Sequence, residues 1–209
     1  MIKLQGKLPR ELYVACSGGL DSMAALDFLS NNHDVTVVFF DHGTATSREA
    51  LNHVSVQVKK YDCGFMYGTI GFDEMQGSNY RAKRDDESQE EYWRNERYKF
   101  FHSINGTVVT GHHLDDCVET WVWSSMHGTG KIIPYANKNV VRPFRMTRKK
   151  DLELWANLKG VAHKEDDTNT DTCYTRNYIR HEMMPHVLRV NPGIHKTIAK
   201  KVKEDYEYT

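Results

Sequence analysis

The chain has no apolar run near the roughly 20 residues that a membrane-spanning helix needs. Its start, Met1-Ile2-Lys3-Leu4-Gln5, lacks the apolar core of a signal peptide. A cytoplasmic protein without membrane contact is expected. The four cysteines, Cys16, Cys63, Cys117 and Cys173, are scattered with no CxxC pair. That spacing suggests neither a zinc knuckle nor a disulfide framework, and it predicts small buried residues. Net charge is missing as well: 28 Lys plus Arg balance 28 Asp plus Glu, so any polyanion must be met by a local patch. No internal repeat is found. What remains is 209 residues, 39% hydrophobic and 27% charged, with mean hydropathy −0.66. That length buries one sizeable core, with room for a small appendage.

The most informative stretch is Ser17-Gly18-Gly19-Leu20-Asp21-Ser22. The apolar segment Leu12 to Cys16 precedes it, and a helical pattern through Met23, Ala24, Leu26, Phe28 and Leu29 follows. The order reads strand, glycine turn, helix. Adjacent glycines let a ligand approach the backbone, and the free N–H groups of a helix start favour phosphate. A GxxxxGK[ST] loop would supply a Lys, but Asp21 and Ser22 stand there instead. An acid beside phosphates calls for a cation between them, so Mg²⁺ is implied.

Val35 to Phe40 is a continuously apolar strand, as in a parallel sheet covered on both faces, and Asp41-His42-Gly43 sits at its carboxyl end. Helix Ser47–Lys60 and strand Phe65–Ile70 follow. Polar Asp73 to Glu87 reads as a mobile loop, a lid or a solvated insertion. Ser88 starts a helix in which Glu90 can pair with Arg94, and Trp93 and Tyr98 give Arg94 and Arg97 a partly buried setting. Strand Thr107–Thr110 runs into Gly111-His112-His113-Leu114-Asp115-Asp116, with Glu119 one helical turn beyond Asp116. These groups suit nucleotide binding, Mg²⁺ coordination or base readout better than zinc, because the histidines lack helical i, i+4 spacing.

Val140 to Pro143 reads as a fifth strand, and Thr147 as the cap of a helix ending at Gly160. Arg142, Arg145, Arg148, Lys149 and Lys150 form a basic run suited to nucleic acid or to plain solvation. Arg176 to Leu188 is helical with Pro185 interrupting, and Asn191-Pro192 opens a last basic helix. The expected fold is α/β: an open, mainly parallel five-stranded twisted sheet with helices on both faces. Residues 1–145 form the nucleotide-binding catalytic domain, and 146–209 a helical extension that completes the site and contacts RNA.

In order, SGGLDS, Asp41-His42-Gly43, Glu90 with Arg94-x-x-Arg97-Tyr98, Gly111-His112-His113-x-Asp115-Asp116-x-x-Glu119-Thr120, Gly128-x-Gly130, Arg142-Pro143, Glu165-Asp166 with Asn169, and Arg176-Asn177-x-Ile179-Arg180 before Asn191-Pro192-Gly193 form a collinear set. It resembles the tRNA(Ile)-lysidine synthetase family, within the superfamily of PP-loop ATP pyrophosphatases (adenine nucleotide alpha hydrolase-like). The resemblance implies ATP-dependent attachment of free L-lysine to C2 of the wobble cytidine of tRNA(Ile) with a CAU anticodon. The route is an adenylated cytidine, and decoding changes from AUG to AUA. It implies ATP and Mg²⁺ as cofactors, Asp21, Asp116, Glu119, Asn169 and Arg180 as catalytic, and Asp21 and Asp116 as metal ligands. Ser17, Gly18, Gly19, Leu20, Asp21, Ser22, Asp41, His42, Gly111 and His112 would bind nucleotide. Arg94, Arg97, Arg142, Arg145, Arg148, Lys149 and Arg176 would contact the anticodon loop. Two departures stand out: Thr44-Ala45 replaces the usual Leu-Arg, and the chain ends soon after Gly193, without the C-terminal tRNA-binding domains of longer members. A PP-loop tRNA thiolase, an inactive nucleotide- or tRNA-binding relative and a small-molecule amidating ligase are the competing readings. A homodimer is left open.

Overall fold

The computed structural model of the chain describes residues 1–70, 83–164, 173 and 175–207. Asn169 and most of the Asp73 to Glu87 loop lie outside the described residues. Strands β1 (Glu11–Ala15), β2 (Asp34–Asp41), β3 (Gly64–Thr69), β4 (Val108–Val109), β5 (Ala136–Asn137) and β6 (Val140–Val141) form one sheet in the order β3-β2-β1-β4-β6-β5. All neighbouring pairs are parallel except β5 with β6. The expected mainly parallel sheet is therefore present with six strands instead of five. β5 is two residues long and folds back on β6 through Lys138 at φ 54, too short to carry an alternating pattern.

Period-two alternation divides the strand side chains between two layers. Leu12, Val14, Val35, Val37 and Phe39 bury on one face, beneath α1 (Leu20–Ser30), α2 (Ala45–Lys60) and α5 (Lys149–Lys159). Val38 and Phe40 bury on the other with Tyr98, Phe100 and Phe101 of α3 (Gln89–Ser103). This double cover explains why β2 is apolar throughout. Leu152 and Ala156 of α5 share the first cluster with Met23 and Leu26.

A third cluster joins α4 (Leu114–Met126) to α8 (Ile194–Glu207) through Cys117, Val118, Val122, Ile194, Ile198 and Val202. Between α5 and α8 the chain runs through α6 (Thr175–Tyr178), a π-helical turn (Ile179–Met183) and α7 (Met184–Val190). The interruption expected from Pro185 takes the form of that wide turn, because Pro185 has no N–H for the carbonyl four residues back. Two helix starts differ from expectation. Thr147 does not cap α5; its hydroxyl exchanges hydrogen bonds with the Lys3 backbone, and Arg148 is the cap. Asn191 makes a turn, accepting from the Gly193 N–H at 3.1 Å, and α8 begins at Ile194.

The order β3-β2-β1-β4 makes the chain reverse direction between β1 and β4. A crevice opens there, at the carboxyl ends of the strands. Both chemical stretches of the sequence begin at that point.

Candidate active site

The loop after β1 is shaped by its own hydroxyls. Ser22 Oγ donates to the Gly19 carbonyl at 2.9 Å and accepts from the Ser17 N–H at 3.2 Å. Gly18 holds φ +87, a conformation natural to glycine, and its carbonyl accepts from the Lys164 N–H at 2.8 Å. Gly19 caps α1 with no side-chain hydrogen bond, so the first N–H groups of that helix are left for a ligand. A cleft of about 460 Å³ lies over the loop, lined by Ser17, Gly19, Asp21, Lys149, Lys164 and Arg180 among others. The three cations suit a polyphosphate. Asp21 stands at the cleft wall with Oδ1 buried and without a hydrogen-bond partner.

Across the switch point, Gly111 lets the second turn close on the first. A Cβ there would lie 3.1 Å from the Asp21 carbonyl oxygen. His113 then caps α4: its Nδ1 accepts from the Asp116 N–H at 3.3 Å, and Asp116 Oδ2 accepts from the His113 N–H at 2.9 Å. This is a capping box with histidine in the usual serine position. With Nδ1 accepting, the ring carries its proton on Nε2, 3.4 Å from Asp21 Oδ2. Burial opposes charge on His113, but Asp116, Asp21 and Asp115 outweigh it and raise its pKa to about 9. At neutral pH that favours a second proton, on Nδ1, where it faces Asp116 Oδ2 at 3.3 Å in place of the bond accepted from the Asp116 N–H.

Asp116 and Glu119 are buried on α4, and two arginines from the next helical segment meet them. Arg180 grips Glu119 with both ends of its fork, Nε to Oε1 at 2.8 Å and Nη2 to Oε2 at 2.9 Å, and reaches Asp116 Oδ1 at 3.3 Å. Arg176 Nη2 donates to the same Oδ1 at 3.1 Å. Burial disfavours the Asp116 carboxylate, yet His113, Arg176 and His112 hold its pKa well below the usual range. Desolvation works against the Arg180 charge too, and Glu119 and Asp116 overcome it, raising its pKa. Asp116 is therefore ionised at neutral pH, and each acid keeps a cation.

His112 turns the other way, with Nδ1 2.8 Å from Thr110 Oγ1, and burial with nearby arginines lowers its pKa to about 3. His42, at the end of β2, packs between the rings of Phe40 and Trp93 at 5.1 and 5.5 Å. Burial and Arg97 lower its pKa to about 4. Asp41 is engaged locally, accepting from the Gly43 N–H at 2.7 Å and the Tyr67 hydroxyl at 2.9 Å. Arg94 is exposed and stacks over Tyr98 at 4.8 Å. Arg97 is half-buried; desolvation and the cations Arg94 and Arg176 lower its pKa to about 10.

The basic run at residues 142–150 is corrected in part. Arg142 and Arg145 are 1% and 0% exposed, so neither presents charge to a polyanion. Arg142 donates to the Pro134 carbonyl and the Tyr98 hydroxyl, at 2.9 and 2.8 Å. Arg145 binds Gln5 Oε1, the Ile133 carbonyl and Asp205, tying the first residues to α8. Each satisfies at least one internal acceptor far off in sequence, Tyr98 for Arg142 and Gln5 with Asp205 for Arg145. Arg148 lies 3.4 Å from Asp115, and Lys149 alone of the predicted run lines the cleft.

Three contributors fall outside the predicted site residues. Lys164 lines the cleft and pairs with Glu49. His113 bridges the two centres, and its signal was the Asp three residues on. Asp115 accepts from the Lys149 N–H at 2.8 Å and faces His195 Nε2 at 3.0 Å, fastening α5 and α8 to the first turn of α4. No spacing rule exposes that last role.

Two curated relatives are the tRNA(Ile)-lysidine synthases of Geobacter sulfurreducens, 31% identical over 206 residues, and Persephonella marina, 30% identical over 197. The matches cover 90% and 88% of this chain and 42% of each relative. The chain thus spans less than half the length of these two relatives. Among solved structures, the U34-tRNA thiolase NcsA from Methanococcus maripaludis, with its [4Fe-4S] cluster, aligns with TM-score 0.75 at 14% identity, over 97% of this chain and 74% of that one. At that identity the likeness is one of fold. It agrees with a sheet whose crevice carries a glycine loop on one side and an acidic helix start on the other. The model of the PP-loop domain matches residues 2–187, from before the first strand to the last helix but one, and the chain belongs to that family.

Proposed function

We propose that the protein ligates lysine to C2 of the wobble cytidine of tRNA(Ile) with a CAU anticodon, splitting ATP to AMP and pyrophosphate. One observation carries this reading: Arg180 lines the cleft over the glycine loop and also grips Glu119. The place for an α-phosphate therefore adjoins the place for a base between Asp116 and Glu119. The curated relatives support the substrate.

In the first step the cytosine O2 attacks the α-phosphorus. The Gly18, Gly19 and Leu20 backbone and the Ser17 and Ser22 hydroxyls hold the departing pyrophosphate, while Lys149 and Lys164 offset its charge. Asp21 fits Mg²⁺, since its buried Oδ1 has no other partner. Among the described residues no group of three or more His, Cys, Asp or Glu could hold a metal alone, which suits an ion shared with phosphates. Bound there, Mg²⁺ would neutralise pyrophosphate charge. Asp116, with both oxygens taken by N–H donors, orients the base more readily than it binds metal. Gly111, His112 and the Asp41-His42 strand end flank the nucleotide.

In the second step the lysine amine attacks C2 and AMP leaves. That amine is protonated at its reference pKa of about 10.4, so a base must accept a proton. Glu119 takes that role as Arg180 swings toward the α-phosphate, Asp116 stays ionised beside His113 and Arg176 to orient the base, and Asn169 hydrogen-bonds base or amine. Arg94, Arg97, Arg148 and Arg176 meet the anticodon-loop backbone, Lys149 being turned to the pyrophosphate instead, and the 146–209 segment completes the site by supplying Arg180. No helix among the described residues is long and apolar enough to cross a membrane.

The test is incorporation of labelled lysine into a tRNA(Ile) transcript with a CAU anticodon, beside one whose first anticodon base is changed. ATP-dependent labelling of the first alone is expected. Equal labelling of both, or none while ATP and RNA still bind, would overturn the reading.

A further inference from the structure

The exposed face of α4 leads out of the site. Asp116, Glu119 and Trp123 share that face, while Leu114, Cys117, Val118 and Val122 turn into the cluster with α8. Exposure rises along it, from 7% at Asp116 and 6% at Glu119 to 43% at Trp123. Trp123 lies one helical turn, about 6 Å, beyond Glu119. An indole so exposed is a large apolar surface left to water. It is also held in place: the His127 ring packs on it at 4.7 Å and 40°, with His127 Nδ1 2.8 Å from the Trp123 carbonyl. Arg176, 45% exposed and touching both acids, puts a cation beside the same face.

We propose that Trp123 is a stacking platform for the unpaired nucleobase next in the strand to the one held at Asp116 and Glu119. The assignment rests on the RNA reading above. A single strand entering the site must present the reacting base and its neighbour in sequence, and the helix presents acid pair and aromatic ring in the same sequence. Aromatic rings bind splayed bases of any identity through their faces, and a ring already fixed by its neighbour loses little freedom on binding. Trp123 would thus add affinity for an open loop over a paired stem, leaving the choice of cytidine to the inner pocket.

The test is binding of a short RNA hairpin with a CAU loop to wild type, Trp123→Phe and Trp123→Ala, each also with hairpins abasic on either side of the reacting cytidine. Trp123→Ala should weaken binding by about 5-fold or more, while Trp123→Phe keeps most of the affinity. One abasic hairpin should cost wild type a similar factor and cost Trp123→Ala almost nothing further, with thermal stability unchanged. Equal affinity of wild type and Trp123→Ala, or an abasic penalty as large in Trp123→Ala as in wild type, would overturn the stacking role alone. If wild type bound no CAU hairpin, the RNA reading would fall and this assignment with it.

Discussion

Replacing Arg180 by Met tests whether the ion pair that closes the site is structural, chemical or both. Glu119 and Asp116 are 6% and 7% exposed. Without Arg180, Glu119 keeps, among the described residues, only Arg176, whose Nε is 3.9 Å away. Removing one partner of a buried pair costs roughly 3–5 kcal/mol. Arg180 is itself 23% exposed and Arg176 remains on Asp116, so the lower end, about 3 kcal/mol, applies. In a domain of this length that is a fall in Tm of about 6–12 °C. Glu119→Gln together with Arg180→Met removes the stranded charge. The pair should then be more stable than Arg180→Met alone, with a coupling of about 2 kcal/mol. Calorimetric unfolding of wild type, both single variants and the double variant measures this, and pyrophosphate release with ATP and RNA is followed in parallel. Turnover should be lost in every variant, whatever stability returns. Purely additive stabilities, or a loss below about 1 kcal/mol in Arg180→Met, would refute the assigned ion pair.

Arg145→Met should cost about 3 kcal/mol, because it strands the Gln5, Ile133 and Asp205 acceptors; thermal unfolding reads this. The salt dependence of RNA binding should stay that of wild type, since a buried arginine displaces no counterion from RNA. Gly111→Ala sets a methyl 3.1 Å from the Asp21 carbonyl; about 1–3 kcal/mol of stability should go, and titration calorimetry should show weaker Mg²⁺·ATP binding. Stability should also fall as pH drops from about 6.5 toward 4. Below about 6.5 the unfolded chain protonates His42, whereas the folded protein resists until about 4, so protons favour unfolding throughout that window. His42→Gln should flatten the slope in urea titrations across that range.

The sheet and both chemical turns were legible because their signals are local. A Gly-Gly turn after Leu12 to Cys16, an acidic helix start after Thr107 to Thr110 and an apolar β2 each state their structure within about ten residues. The arginines were not legible. Arg142, Arg145 and Lys149 sit within eight positions in a similar run of charge, yet the first two are interior and the third lines the cleft. What separates them is the distant partner, Tyr98 for Arg142 and Gln5 with Asp205 for Arg145. A charge pattern cannot name an acceptor that approaches only after the chain has folded. The same limit hid the hairpin that adds β5. Arg176 and Arg180 were legible only through the family resemblance, since two arginines one turn apart are as readily a solvated face. That they meet Asp116 and Glu119 depended on how the last helices return over α4.

Asp115 and Asp116 are neighbours in the chain with opposite duties, one holding α5 and α8, the other meeting Arg176 and Arg180 beside the cleft. A library aimed at altered substrate choice would therefore do poorly at residues 113–116, where a change at His113 or Asp116 opens the cap of α4 and one at Asp115 loosens α5 and α8. Only the exposed positions further along α4, such as Trp123 and Met126, are free of that packing. The first turn of that helix therefore answers to folding and to the cleft at once.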